Sequence, residues 1–459
     1  MVRKQYDKNY VFAEMPVSRA VAYLVVPTVL TQVISILYNL ADTYFIGQVG
    51  DPALVAAVGV SLPPMMMLTA LANLFGVGAS SVISRSLGAG DETTARKAAA
   101  FSLWFGTAVA ASYIILASVF HDPLIDVVGG VGEPHEHVVT YLTWAFAIGG
   151  LFFFLTGLLA HLLRSMSKSV EASIGVASGS VINIILDPLL IFGAGWGIQG
   201  AAVATLVGQV ASVALLLWYL LHDEDCAIVR QAPSKLALDG AVAREVATIG
   251  FVSFCMTTLA QVSNTCVNIL VSPHGAAYLA ASSVAIKLNI AAFAIAIGLS
   301  TGVLPIIGFN YAARNGNRVK AALKVAVTFS ICMSAFFTVL VFSFPDAITA
   351  FFIADPATIE CGRSYLREVS LCFIPSGLVF LTTSYLQAIG QKRRPFILAF
   401  TRMGTVDVVC MIACSIFLGP SGILLGKPIA DWLCLCTACL VINNLRKHQS
   451  PFARENDEA

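Results

Sequence analysis

Residues 201–221 read AAVATLVGQVASVALLLWYLL, an unbroken apolar run without one charged side chain. As a helix, about 20 such residues reach across a hydrocarbon core of ~30 Å. In that solvent only a helix or a closed barrel satisfies its own backbone polar groups. Residues 103–120, LWFGTAVAASYIILASVF, repeat the pattern. Across all 459 residues, 58% are hydrophobic and only 12% are charged, with a mean hydropathy of +0.82. A water-facing globule carries roughly 25% charged residues. The chain therefore reads as an all-α integral membrane protein.

Spans are expected near 17–44, 53–83, 96–120, 137–161, 170–193, 199–222, 246–271, 278–307, 320–344, 360–389, 395–418 and 422–445, about twelve in all. The first follows Arg19, is longer than a leader's apolar core and lacks a small-residue cleavage pattern, so no cleaved signal peptide is expected. Basic residues fall into alternate loops. They are Arg3, Lys4, Lys8 and Arg19; Arg85, Arg96 and Lys97; Arg164 and Lys168; and Arg230, Lys235 and Arg244. In the second half they are Arg314, Arg318, Lys320 and Lys324; Lys392, Arg393 and Arg394; and Arg446, Lys447 and Arg454. The intervening loops hold acids instead: Asp51, Asp122, Asp126, Glu133, Glu136, Asp346 and Asp355. Arg363 and Arg367 are the exceptions. Positive loops stay cytoplasmic, which puts both termini inside.

The chain also repeats. An offset of 224 residues brings Gly78 onto Gly302, Tyr141 onto Tyr365, Lys168 onto Lys392 and Gly195 onto Gly419, and lays Gly88-Ala89-Gly90-Asp91 on Ala312-Ala313-Arg314-Asn315. Two six-helix bundles of the same orientation are expected, related by a pseudo-two-fold axis along the membrane normal. The lobes are 1–221 and 246–459, joined by a charged cytoplasmic linker at 222–245. Such symmetry about a cleft suits alternating access.

Acids inside spans are costly unless paired or neutralised, and so mark function. Asp42 lies near the outer end of the first span, one turn from Tyr38 on the same face. Asp187 lies in the fifth, four residues after Asn183, and Thr205 opens the sixth. No Lys or Arg in the interior of these spans can neutralise the two acids, which leaves a proton, a metal cation or a shared proton. The offset puts Cys266 and Met411 at the corresponding places, so the second lobe lacks both acids. Pro27 removes a hydrogen bond from the middle of the first span and invites a kink.

Other signals carry no chemistry. His135-Glu136-His137 sits in an acidic loop without further ligands, and Cys434 and Cys436 face apart on one helix. Gly298-Leu299-Ser300-Thr301-Gly302 matches a nucleophile elbow by letter only, since it lies inside an apolar span. There is no P-loop for ATP. A net charge of +1 gives no nucleic-acid footprint, and the eleven cysteines fall mostly in apolar runs, where thiols act as small hydrophobes. No cofactor and no enzymatic activity are expected.

The stretch from Tyr38 to Gly47, Tyr-Asn-Leu-Ala-Asp-Thr-Tyr-Phe-Ile-Gly, resembles the first-span signature of multidrug and toxic compound extrusion (MATE) transporters. Gly88 to Asp91, Arg164 to Lys168, Asn183 to Pro188 and Gly195 to Ala202 resemble the same family, in order, over essentially the whole chain. The likeness is greatest to the bacterial DinF- and MepA-like branch. It implies export of amphipathic, cationic or zwitterionic drug-like compounds from the bacterial inner membrane by antiport against H+ or Na+. The resemblance implies a cation site at Asp42, Asn183, Asp187 and Thr205, a metal site if Na+ is the ion, with Tyr38 adjoining. Met65, Met66 and Met67 are adaptable candidates for the substrate cleft. The related NorM-like branch has further acids in its second lobe; here Glu368 stands alone near the tenth span. The competing reading is a flippase for lipid-linked oligosaccharides, which would need a cationic cleft for pyrophosphate.

Overall fold

A computed structural model describes residues 10–49, 52–127, 134–228, 230, 239–352, 355–402 and 406–448. Arg3, Lys4, Lys8, Asp51, Glu133, Lys235 and Arg454 of the loop-charge pattern lie outside these residues. Among the described residues the chain is helical and has no strand.

The principal helices are α1 (Val17–Gly47), α2 (Pro52–Gly88), α3 (Glu92–Val119), α4 (His135–Ile148), α5 (Gly150–Ser165), α6 (Ser169–Gly193) and α7 (Gly197–His222). They continue as α8 (Gly240–Val271), α9 (Ala276–Ala312), α10 (Gly316–Ser343), α11 (Pro356–Ala388), α12 (Arg393–Phe400), α13 (Val406–Leu418) and α14 (Gly426–His448). Among the described residues, ten helices are long and apolar enough to cross a bilayer. The pair α4 and α5, bent by 47° at Gly149, makes an eleventh. The expected span 395–418 is represented by α12 and α13 on either side of residues 403–405. Large apolar side chains such as Ile115, Leu116, Val119 and Leu440 are exposed, as the hydrocarbon of a bilayer requires. This is a multi-pass membrane protein.

The chain divides into two compact units, 1–257 and 258–459. The division falls inside α8, beyond the linker 222–245 at which composition alone separates the lobes. The first half of α8 packs on α2 at glycines: a Cβ on Gly250 would lie 1.7 Å from the carbonyl oxygen of Leu74, and one on Gly78 2.2 Å from that of Val246. Val246 and Ile249 accordingly belong to the apolar core of unit 1. Ion pairs Arg85–Glu245 (2.9 Å) and Lys97–Asp239 (2.8 Å) hold the same segment. Burial of the linker's start is fixed by Lys168, whose ammonium meets Asp223 at 2.6 Å and Asp225 at 3.0 Å.

The repeat is built with the same local devices in each unit. Gly90 and Arg314 both adopt left-handed φ, at 77° and 58°, and stand 224 residues apart, as do Gly195 and Gly419, each at 69°. Asp91 then caps α3 by accepting from the Thr94 N–H, and Asn315 caps α10 by accepting from the Arg318 N–H. At Gly90 and Arg314 the backbone geometry is shared although the residues differ.

Candidate cation-binding site

In unit 1 the fifth and sixth spans meet closely because glycines face each other. A Cβ on Gly179 of α6 would stand 2.3 Å from the carbonyl oxygen of Gly208 on α7 and 2.1 Å from the Ser212 Oγ. That approach carries Asn183, one turn further along α6, to Thr205: Asn183 Nδ2 donates to Thr205 Oγ1 at 3.3 Å and to Asp187 Oδ1 at 3.3 Å. Pro188 follows Asp187 and supplies no N–H, and the helix widens from there into a π-helical turn over Leu189–Gly193. Helix α1 packs on α6 and brings Asp42 near enough for its charge to act on Asp187.

All four residues are shut from solvent: Asp42 is 6% exposed, Asn183 2%, Asp187 0% and Thr205 4%. Among the described residues, Asp42 Oδ1, Asp187 Oδ2 and Asn183 Oδ1 are buried without any hydrogen-bond donor. A buried acceptor left unmet costs about 1–3 kcal/mol, and more when charged. Three orphaned oxygens on two neighbouring helices form a set deficient in positive charge. Oxygen donors of this kind suit a hard monovalent metal cation, and each carboxylate can equally take a proton. Tyr38 is half-buried within electrostatic reach of both acids.

Sequence reasoning used Tyr141 only as a repeat marker. It is buried on α4, which packs on α7, and it lies within electrostatic reach of Asp42 and Asp187. Pro27 does not break α1, which runs continuously from Val17 to Gly47, and the Thr31 hydroxyl donates to its carbonyl at 2.9 Å. Met65 is packed into the apolar core of unit 1, while Met66 and Met67 are half-buried. The three methionines thus do not act as one surface.

A family model for MatE matches the chain twice, over residues 27–189 and 251–412. The multidrug export protein MepA of Staphylococcus aureus is 30% identical over 448 residues, covering 96% of each chain. This chain belongs to the MatE family. MepA of Staphylococcus saprophyticus is 28% identical over 444 residues, again covering 96% of each. Solved MATE structures share the fold. One is an outward-facing multidrug-resistance MATE transporter of the MOP superfamily, with a TM-score of 0.89 and 22% identity, covering 96% of this chain and 99% of that one. Another is a variant of the Vibrio cholerae MATE transporter VcmN, with a TM-score of 0.86 and 18% identity, covering 95% of this chain and 98% of that one. The chain is therefore a MATE-type membrane transporter rather than an enzyme. The two family matches begin 224 residues apart, at the offset seen in the sequence.

Unit 2 of this MATE chain has a different polar interior. Arg402, 1% exposed, bonds Asp431 Oδ1 through Nε at 2.7 Å. Its guanidinium lies over the rings of both Phe293 and Phe380, 4.7 and 4.3 Å from their centroids. Ser376 donates to the other oxygen of Asp431. Lys427 Nζ donates to Ser263 Oγ at 2.7 Å and stands 3.8 Å from Asp407 Oδ2, to which Ser263 donates in turn. Glu368 is half-buried, its Oε2 without a partner among the described residues, and Lys287 is exposed on α9.

Proposed function

We propose that this transporter is a secondary active exporter of amphipathic organic compounds, cationic or zwitterionic, driven by inward movement of H+ or Na+. The observation that carries the reading is the trio of orphaned buried oxygens on Asp42, Asp187 and Asn183. Two carboxylates within reach of each other and without a basic partner remain stable in a low-dielectric interior only when a mobile cation joins them. Cation loading from outside removes repulsion between α1 and α6. Cation release to the inside restores it, and the lobes alternate between outward-open and inward-open forms as it does so. Pro27, about three turns from Tyr38 along α1, gives that helix a point at which to bend.

The lobes of the cycle are 1–221 and 246–459, tied by the cytoplasmic linker 222–245. The alternation of basic and acidic loops supports a bacterial cytoplasmic membrane location with both termini inside. The likeness to the multidrug export protein MepA supports drug-like substrates, with Met66 and Met67 as adaptable lining. A flippase for lipid-linked oligosaccharides is disfavoured, because Arg402 and Lys427 are each committed to a carboxylate of their own unit and so are poor ligands for pyrophosphate.

Everted membrane vesicles test the reading. With an imposed proton or sodium gradient, wild-type protein accumulates a fluorescent cationic drug, and Asp42→Asn and Asp187→Asn each abolish gradient-dependent accumulation at equal expression. Undiminished transport by both variants would remove these acids from coupling.

A further inference from the structure

The repeat makes the two polar interiors comparable position by position. At the offset of 224, Asn183 falls on Asp407, and Asn39, beside Tyr38, falls on Ser263. The helices α1, α6 and α7 of unit 1 thus correspond to α8, α12 with α13, and α14, and Ser263, Asp407 and Lys427 on them all lie in unit 2. In unit 1 this three-helix junction gathers buried oxygens that meet no hydrogen-bond donor among the described residues. In unit 2 the same junction gathers the Asp407 carboxylate and the Ser263 hydroxyl around an ammonium that the chain itself supplies, Lys427 Nζ. Lys427 replaces Val203 of the first repeat.

We infer that Asp407 and Ser263 form a second monovalent-cation site, occupied by the tethered ammonium of Lys427, and that this resident cation excludes alkali ions from unit 2. An ammonium and an alkali ion carry the same charge and are both satisfied by oxygen ligands. A tethered group also competes at a fixed, high effective concentration. The neighbouring carboxylate, Asp431, already has Arg402 at 2.7 Å, a group that stays charged in proteins. Two acids thus meet two fixed cations, and a further ion would add an uncompensated charge to the low-dielectric interior. Ion coupling is thereby confined to unit 1. Only that last consequence rests on the function proposed above; the site itself does not.

The test uses the full-length purified protein with unit 1 silenced by Asp42→Asn and Asp187→Asn. In that background Lys427→Ala creates saturable binding of radiolabelled Na+ at alkaline pH. Lys427→Arg, which keeps a tethered charge, does not. Adding Asp407→Asn to Lys427→Ala abolishes the new binding, whereas adding Glu368→Gln leaves it in place. Absence of Na+ binding in a monodisperse Lys427→Ala protein, or binding that survives Asp407→Asn, overturns the inference, as does uptake of a proton alone. Should the unit 1 reading be wrong, cation binding by the Lys427-intact protein would ignore Asp42→Asn and Asp187→Asn, a result separable from the gain at Lys427→Ala.

Discussion

Asn183 spends both amide protons on its neighbours, reaching Asp187 and Thr205 at 3.3 Å each, while its own carbonyl oxygen meets no donor. The side chain therefore fixes the positions of two oxygen groups and offers a third. Replacing it with Leu leaves Asp187 and Thr205 unheld. Losing such hydrogen bonds costs about 1–3 kcal/mol, which corresponds to roughly five- to 150-fold in ion affinity. The measurement is the ion concentration giving half-maximal drug efflux, which should rise by that factor in Asn183→Leu.

The junction depends on glycine. A Cβ at Gly179 would sit 2.1 Å from Ser212 Oγ and 2.3 Å from the Gly208 carbonyl oxygen, whereas one at Gly193 would meet nothing within 4 Å. Gly179→Ala forces α6 from α7 at an overpacking cost of about 1–3 kcal/mol, and it separates Asn183 from Thr205. The apparent Tm of the purified protein should fall for Gly179→Ala and stay unchanged for Gly193→Ala.

In unit 2, Arg402 is a structural strut. Arg402→Leu leaves Asp431 buried without its counter-charge, a loss of about 3–5 kcal/mol. Removing both charges with Arg402→Leu and Asp431→Leu should recover most of the lost thermal stability. Equal instability of the single and double variants would show that ring packing on Phe293 and Phe380, rather than the ion pair, is what matters.

Just beyond α7, Cys226 is wholly buried, and burial pushes its thiol up to about 12. Burial disfavours the charge of Lys168, yet hydrogen bonds to Asp223 and Asp225 outweigh it and hold the ammonium above its ordinary range. A raised lysine contributes its stability in full below its ordinary pKa and loses it only as pH climbs through the folded value. The tether is therefore intact at neutral pH and fails on the alkaline side. Maleimide labelling of Cys226, in a protein otherwise free of cysteine, should be slow at neutral pH and rise steeply at high pH. Lys168→Met should label about tenfold faster at neutral pH, an effect of about 1.4 kcal/mol.

Membrane character, the repeat and the acids of the first half were legible in sequence because each answers to a one-dimensional rule. Apolar runs must match the bilayer, basic loops must stay inside, and a carboxylate amid twenty apolar residues stands out. Pairing across the fold was not legible. Arg402 finds Asp431 across 29 residues and Lys427 finds Ser263 across 164, and no periodicity encodes such partners. Tyr141 is one of twelve tyrosines, and only the packing of α4 on α7 distinguishes it. Three consecutive methionines say nothing about which way α2 is turned, so Met65 entered the core while its neighbours kept some surface.

The central claim is that ion and drug communicate through Asp42 and Asp187, and binding linkage tests it most directly. The affinity of the purified protein for a cationic drug is measured by isothermal titration across a range of Na+ concentrations and pH. The account predicts that the coupling ion weakens drug binding in the wild type, and that Asp42→Asn with Asp187→Asn makes drug binding indifferent to both ions. The same ion dependence in the wild type and the double variant would contradict it.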